Sequence, residues 1–389
     1  MKIMTKRIYI EPAWKMHSYY KALATHPPQG YEFITPESSL EKVTKAASKL
    51  NFATPLFLKL DNILPLNLIK SNLTKFQKIP VAHDLIYSYD HLVLRREPWV
   101  VDIEYVPFFV SYQPRHFRHF KGTVQNVLAS KYCKKIICGT EAAKRTVTHN
   151  LDCSKFEDKI EIVPFATSKK NFTKQYNDSK IKILFVGSTN ILGAFETKGG
   201  REALESFIIL SKKYGNLELT IRSDVPPDVK ARYSSYKNIN IIDQIVPWEV
   251  MEQEFKSTDV FLLPVHNTPY SAFLDAMSYE LPVVTIDSWA NGEVIEDGKT
   301  GLLAQKSDKI PYYIENFIPI FGTAKFNKAI KIPDPLVVQR LADKMSILIE
   351  NKELRRQMGK AGRQEVEQGK FSLESRDKIL KRIFDEAIS

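Results

Sequence analysis

Short apolar runs rich in β-branched residues alternate with amphipathic stretches along the whole chain. In the first half the runs are "KRIYI", "YEFIT", "DLIYSY", "PWVVDIEYV", "KIIC" and "KIEIV". In the second half they are "IKILFVGS", "LELTIRS", "INIIDQIV", "DVFLLPV", "LPVVTI" and "TGLLA". Runs that stay apolar, instead of alternating with polar residues, predict strands buried on both faces, the signature of parallel sheets. Between them lie segments such as "GGREALESFIILSKKYG" and "EVMEQEFKSTD", which predict helices covering those sheets. The pattern lapses at residues 163–180, "VPFATSKKNFTKQYNDSK", and resumes with a clean strand at Ile181. Two such series predict two doubly wound α/β domains. The expected division is 1–165, 166–370 and a terminal helix over 371–389 that packs back toward the first domain.

Composition narrows the class. The 389 residues are 43% apolar and 26% charged, ordinary for a globular chain. No apolar run reaches membrane-spanning length, and the N-terminus lacks the apolar core of a signal peptide. Cys133, Cys138 and Cys153 are an odd set without C-x-x-C spacing, which predicts free thiols and a cytoplasmic setting. The net charge of +11 is uneven: residues 1–165 hold 24 Lys+Arg against 15 Asp+Glu, the remainder 32 against 30. A basic first half suits an acidic small substrate, an anionic membrane surface or nucleic acid, or serves solubility alone.

The stretch with most chemistry is "PVHNTPYSAFLDAMSYELPVV", residues 264–284. A polar loop leads into a short helix, and a helix start offers free N–H groups and partial positive charge to a phosphate. Asp275 sits further inside that helix, and helical side chains lean toward the N-terminus, where it can reach something attached to the phosphate. Its plain alternative is a solvated acid. "ILFVGSTN" and "ETKGGREALESF" place Gly187 at a strand end and Lys198 before a glycine-led helix start, a plausible diphosphate clamp that is not a P-loop.

These motifs, in this order, resemble glycosyltransferase family 4. That family shows two Glu residues separated by seven, then Ala-Met and a Pro-Val-Val strand. Here Asn267 stands at the first Glu and Asp275 at the second, with Ala276, Met277, Pro282, Val283 and Val284 matching. "EVIEDGKTGLL", "EIVPFA" and "FVGS…KGGREALESF", residues 185–207, are similar to further family segments. The resemblance covers roughly 160–385 well and the first half loosely. It implies the GT-B fold, two Rossmann-like domains facing a central cleft, and retaining, metal-independent sugar transfer with no cofactor beyond a nucleotide-sugar donor. It implies that Asp275 meets the ribose, Asn267 the donor sugar, and the backbone N–H groups of Tyr270, Ser271 and Ala272 the diphosphate. The family's Arg–Lys pair falls on Ser188 and Lys198, with Arg222 a replacement cation and residues 244–247 against the base.

In the first half, Asp102 and Glu104 fall near the family's sugar-contacting His. As i and i+2 on a strand they share a face, where one can accept a hydrogen bond or act as a base. An ion pair at a strand end is their bland reading. His83, Asp84 and His91 are further candidates. "SYQPRHFRHFKG" interleaves Arg115, Arg118 and Lys121 with Phe117 and Phe120, which suits a lipid-linked, anionic acceptor or peripheral contact with the inner membrane face better than nucleic acid; an ordinary amphipathic loop or helix start is the plain alternative. The family's glycine-rich loop after the first strand is replaced by "EPAWKMHSYY". The expected protein transfers sugar to an acceptor hydroxyl in glycan or glycolipid synthesis. An epimerase on the same architecture, or a binder without turnover, fits the same fold.

Overall fold

The computed structural model describes residues 5–11, 18–34, 63–76, 78–111, 113–176, 179–189 and 193–389. Residues 12–17, most of the segment replacing the glycine-rich loop, lie outside them. The chain divides into two compact units. The first comprises residues 1–165, 313–320 and 373–389, and the second 166–312 and 321–372.

The first unit is built on six strands: β1 Lys6–Glu11, β2 Tyr31–Ile34, β3 Leu85–Tyr89, β4 Trp99–Ile103, β5 Cys133–Cys138 and β6 Ile160–Ile162. Their order across the sheet is β2-β1-β3-β4-β5-β6, all parallel. Strand periodicity sorts the side chains. Trp99, Val101 and Ile103 point into one core with Phe109, Phe117 and Val124. Val100 joins Tyr87, Leu380, Ile383 and Phe384 in a second core on the other face. The Leu373–Ile388 helix therefore covers this sheet, and its Arg382 pairs with Glu161 of β6 at 2.8 Å.

The second unit repeats the plan with β7 Ile181–Val186, β8 Leu217–Arg222, β9 Ile239–Ile242, β10 Val260–Leu262, β11 Val283–Asp287 and β12 Gly301–Gln305. The order is β12-β11-β10-β7-β8-β9, again parallel. The Gly200–Lys213, Trp248–Ser257, Tyr270–Ser278 and Pro335–Glu350 helices follow the amphipathic segments. Strand order reverses between β7 and β10, and loops leaving such neighbouring strands splay apart to leave a crevice. All twelve strands of the two six-stranded sheets fall on the apolar runs read from the sequence.

The three cysteines are unpaired, Cys133 and Cys138 buried and Cys153 half-buried. The aromatic–cationic segment of the first half forms the Pro114–Leu128 helix. Its Phe117 is 1% exposed and Phe120 packs against the same core. The two rings expected at a membrane are thus core anchors; withdrawing one would cost about 3–5 kcal/mol. The helical period turns both rings inward and leaves Arg118 outside, paired with Glu315 at 3.2 Å.

Candidate functional site

The loops after β7 and β10 meet at the reversal point of the second sheet. The β7 loop turns at Gly187, whose N–H donates to Arg222 at 2.7 Å while the Arg222 guanidinium donates back to the Gly187 carbonyl at 2.8 Å. A Cβ on Gly187 would lie 2.4 Å from Ser223 Oγ, so only glycine fits. The Ser188 carbonyl accepts from Asp224 N–H at 3.0 Å. Arg222, read from the sequence as a replacement cation, is committed here to holding the turn. Burial lowers its pKa.

Lys198 closes the short Ala194–Thr197 helix, and Gly199 opens the next one at φ +75°. A Cβ on Gly199 would come 2.1 Å from the Pro264 carbonyl. Gly199 thus lets the Lys198 turn press directly on the β10 loop. Two more contacts fix that approach. His266 N–H donates to the Thr197 carbonyl at 3.0 Å. The His266 ring lies 3.3 Å from the Glu202 carboxylate and 2.9 Å from the Tyr312 hydroxyl, with His266 and Glu202 each only 1% exposed.

The β10 loop is also braced from β11. The Asn291 side-chain amide donates to Val265 and Ile286 carbonyls at 3.0 and 2.9 Å, and Thr268 Oγ1 donates to Asn291 Oδ1 at 2.9 Å. The buried side-chain atoms of this frame without a hydrogen-bond partner include Thr189 Oγ1 and Asn267 Oδ1, together with Glu202 Oε2, His266 Nε2 and Arg222 Nε. Native interiors rarely leave such groups unmet.

The Tyr270–Ser278 helix starts after Pro269 with no side-chain cap. Ala272 N–H donates to the Pro269 carbonyl at 2.9 Å. Of the three amides read as diphosphate donors, Ala272's is therefore already engaged, because the first turn is tight. Tyr270 and Ser271 lead the helix. Asp275 is half-buried two residues past that first turn. Burial pushes its carboxyl up to about 6, with Lys170 pulling the other way. The Lys170 ammonium lies 5.5 Å from the Trp248 ring and 5.7 Å from that of Tyr279.

In the first unit, Asp102 is 2% exposed and accepts from the Tyr87 hydroxyl at 2.7 Å. Burial pushes its carboxyl up to about 7, the Tyr87 hydrogen bond opposing the shift. Glu104 lies just past β4, half-buried, its N–H donating to Asp90 Oδ1 at 3.2 Å. Asp90, which the sequence reading passed over, is held well above the usual carboxylate range by burial and then by Glu104 and Asp102. The three acids share the C-terminal ends of β3 and β4. His83 and Asp84 precede β3 and so lie at the opposite edge of the sheet, where Asp84 accepts from Arg7 N–H at 2.7 Å. His91 packs with its Nδ1 3.0 Å from the Tyr89 carbonyl, and burial pulls it down to about 4. Among the described residues, no group of three or more His, Cys, Asp or Glu is placed to hold a metal ion.

His266, Glu202, Thr268 and Asn291 escaped sequence reading. "VHNTP" shows His266 and Thr268 as polar loop residues, but their partners lie 64 and 23 positions away.

Two parallel six-stranded sheets with helices match the GT-B fold of glycosyltransferases. Residues 180–317 match the family model described as Glycosyl transferases group 1. A capsular polysaccharide biosynthesis glycosyltransferase, CapM of Staphylococcus aureus, is 23% identical over 270 residues. That match spans 66% of this chain and 62% of CapM's length. Among solved structures, Anabaena HepE in complex with UDP and glucose shares 12% identity with a TM-score of 0.61, covering 98% of this chain and 99% of HepE. TarM shares 14% identity with a TM-score of 0.55, covering 77% of this chain and 54% of TarM.

Proposed function

We propose that the protein is a glycosyltransferase that moves a sugar from a nucleotide-sugar held by the second unit to an acceptor hydroxyl in glycan assembly. The observation that carries this reading is the frame around Gly187, Gly199 and the Tyr270–Ser278 helix, with Thr189 Oγ1 and Asn267 Oδ1 among its unmet polar atoms. The family match over 180–317 supports it. So do the printed names of the relatives, a capsular polysaccharide enzyme and a protein bound to UDP and glucose.

In this reading Asp275 accepts hydrogen bonds from the ribose. Asn267 Oδ1 accepts from a sugar hydroxyl; as an amide it also donates, but it carries no charge. Lys198 and the first amides of the Tyr270–Ser278 helix stabilise the charge that grows on the diphosphate as the glycosidic bond breaks. The acceptor belongs to the first unit. There Glu104 is better exposed than Asp102 to meet a hydroxyl. Retention of configuration, independence of metal ions and a site at the inner membrane face extend the same reading.

A panel of uridine and guanosine diphosphate sugars tests it. One donor should raise the melting temperature, and nucleoside diphosphate should be released only when acceptor is added. Lys198→Ala should lower turnover more than nucleoside affinity, because the charge it meets develops in the transition state. Tight binding with no release under any acceptor would favour a binder, the reading that Asn267 at an acid position supports. Conversion of the donor sugar without acceptor would favour an epimerase.

A further inference from the structure

Three side chains of the second unit meet the His266 ring. The Tyr312 hydroxyl lies 2.9 Å from Nδ1. Phe326 stands perpendicular to the ring, 6.3 Å away between centroids. Glu202 brings a carboxylate oxygen to 3.3 Å from Nε2. Of these, Glu202 is the acid.

The backbone does not need that ring. His266 N–H donates to the Thr197 carbonyl at 3.0 Å whatever side chain stands at 266, and Gly199 supplies the close approach. What the ring does is meet a buried carboxylate. Glu202 lies in the first turn of the Gly200–Lys213 helix and is 1% exposed. Lys198 closes the turn just before that helix, and Asn267 follows His266 in the β10 loop. A carboxylate buried without a counter-charge is costly. Arg201, its neighbour along the helix, is committed to Glu196 at 3.3 Å and Asp228 at 3.2 Å. Glu202 Oε2 finds no hydrogen-bond partner among the described residues. The ion pair that remains to Glu202 is the one with His266. Whichever of the two holds the proton between Nε2 and the carboxylate, the pair as a whole is neutral.

We propose that His266 is a positioning residue for the donor's phosphates: by sharing a proton with Glu202 it keeps the wall between the Lys198 turn and the Asn267 loop free of net charge. A helix start attracts phosphate through partial charges, and a full negative charge in the same wall would offset them. This role rests on the reading of the loop pair as a diphosphate site. It belongs to a residue that itself touches neither phosphate nor sugar.

Isothermal titration of UDP and GDP into wild type and His266→Gln, at pH 8 to favour an ionised acid, tests it. The nucleotide that binds wild type should bind the variant about ten-fold more weakly, because Gln cannot take up the shared proton. Adding Glu202→Gln should restore affinity to within about three-fold of wild type, although the ring is then missing as well. The matching nucleoside, uridine or guanosine, should bind wild type and His266→Gln alike, since it brings no phosphate. A purely structural ring predicts the reverse on both counts. Glu202→Gln by itself keeps the shape of the acid and can donate to Nε2, so it serves where His266→Gln does not fold. Its diphosphate affinity should fall less than about three-fold even where its melting temperature drops. Equal diphosphate affinity in wild type and His266→Gln would overturn the proposal and leave the donor reading in place. So would a double variant no tighter than the single one, a nucleoside weakened as much as the diphosphate, or a fall of about ten-fold in Glu202→Gln. Wild type that binds neither UDP nor GDP would overturn the donor reading itself, and the role of His266 with it.

Discussion

The two units carry the same six-stranded parallel sheet yet furnish its C-terminal end in contrasting ways. The second unit builds with backbone: Gly187 and Gly199 permit approaches that any side chain would block. The first unit builds with side chains: Asp90, Asp102 and Glu104 cluster there, with the buried Tyr87 and Tyr89 on the neighbouring strand. Backbone N–H groups and a lysine suit a diphosphate, whereas carboxylates with raised pKa suit a hydroxyl about to lose a proton. The contrast also relocates the charge excess. Residues 1–165 are net basic, but the strand ends within them are acidic, so the lysines belong to other surfaces.

The largest effect expected to sharpen this contrast is on the backbone-built side. Gly199→Ala places a Cβ 2.1 Å from the Pro264 carbonyl at a positive φ. It should destabilise the second unit by about 3 kcal/mol or more, read by calorimetry. A variant as stable as wild type would show that the Lys198 turn does not need its close approach to the β10 loop.

Next comes a titration on the side-chain-built side. Burial raises Asp102 from 3.8 to about 7. A raised acid contributes stability fully below its unfolded pKa and loses it as pH climbs through the folded one. Asp102→Asn keeps an acceptor for the Tyr87 hydroxyl and removes the titration. Its stability relative to wild type should therefore rise between pH 4 and pH 8, by about 1–3 kcal/mol. A difference that stays flat across that range in denaturant titrations would mean that Asp102 does not bury a charge.

A smaller effect separates support from contact at Arg222. Loss of its hydrogen bond to the Gly187 carbonyl in Arg222→Gln should cost about 1 kcal/mol of stability. Nucleotide affinity should fall less than in Lys198→Ala. The reverse ranking in binding titrations would return Arg222 to the diphosphate.

The fold was legible because it rests on local pattern. Each of the twelve strands is a short apolar run, and covered parallel sheets leave no alternation to confuse the reading. The loop after β10 was legible as a polar lead into a helix. What the sequence hid was pairing over distance. His266 with Glu202, Thr268 with Asn291 and Asp90 with Glu104 are joined by topology, and no local spacing encodes them. The Phe117 reading failed for a related reason. Aromatics interleaved with cations look alike on an interfacial and on a core-facing helix, and the core that received Phe117 comes from β4 and β5.

The central claim is that the second unit holds a nucleotide at the β7–β10 reversal point with Asp275 on its ribose. Isothermal titration of UDP and GDP into wild type and Asp275→Ala tests it most directly. The account predicts that one of them binds wild type and binds the variant about 10- to 100-fold more weakly, the loss of about 1.5–3 kcal/mol expected for a charge-assisted hydrogen bond. Equal affinity for both proteins would contradict it.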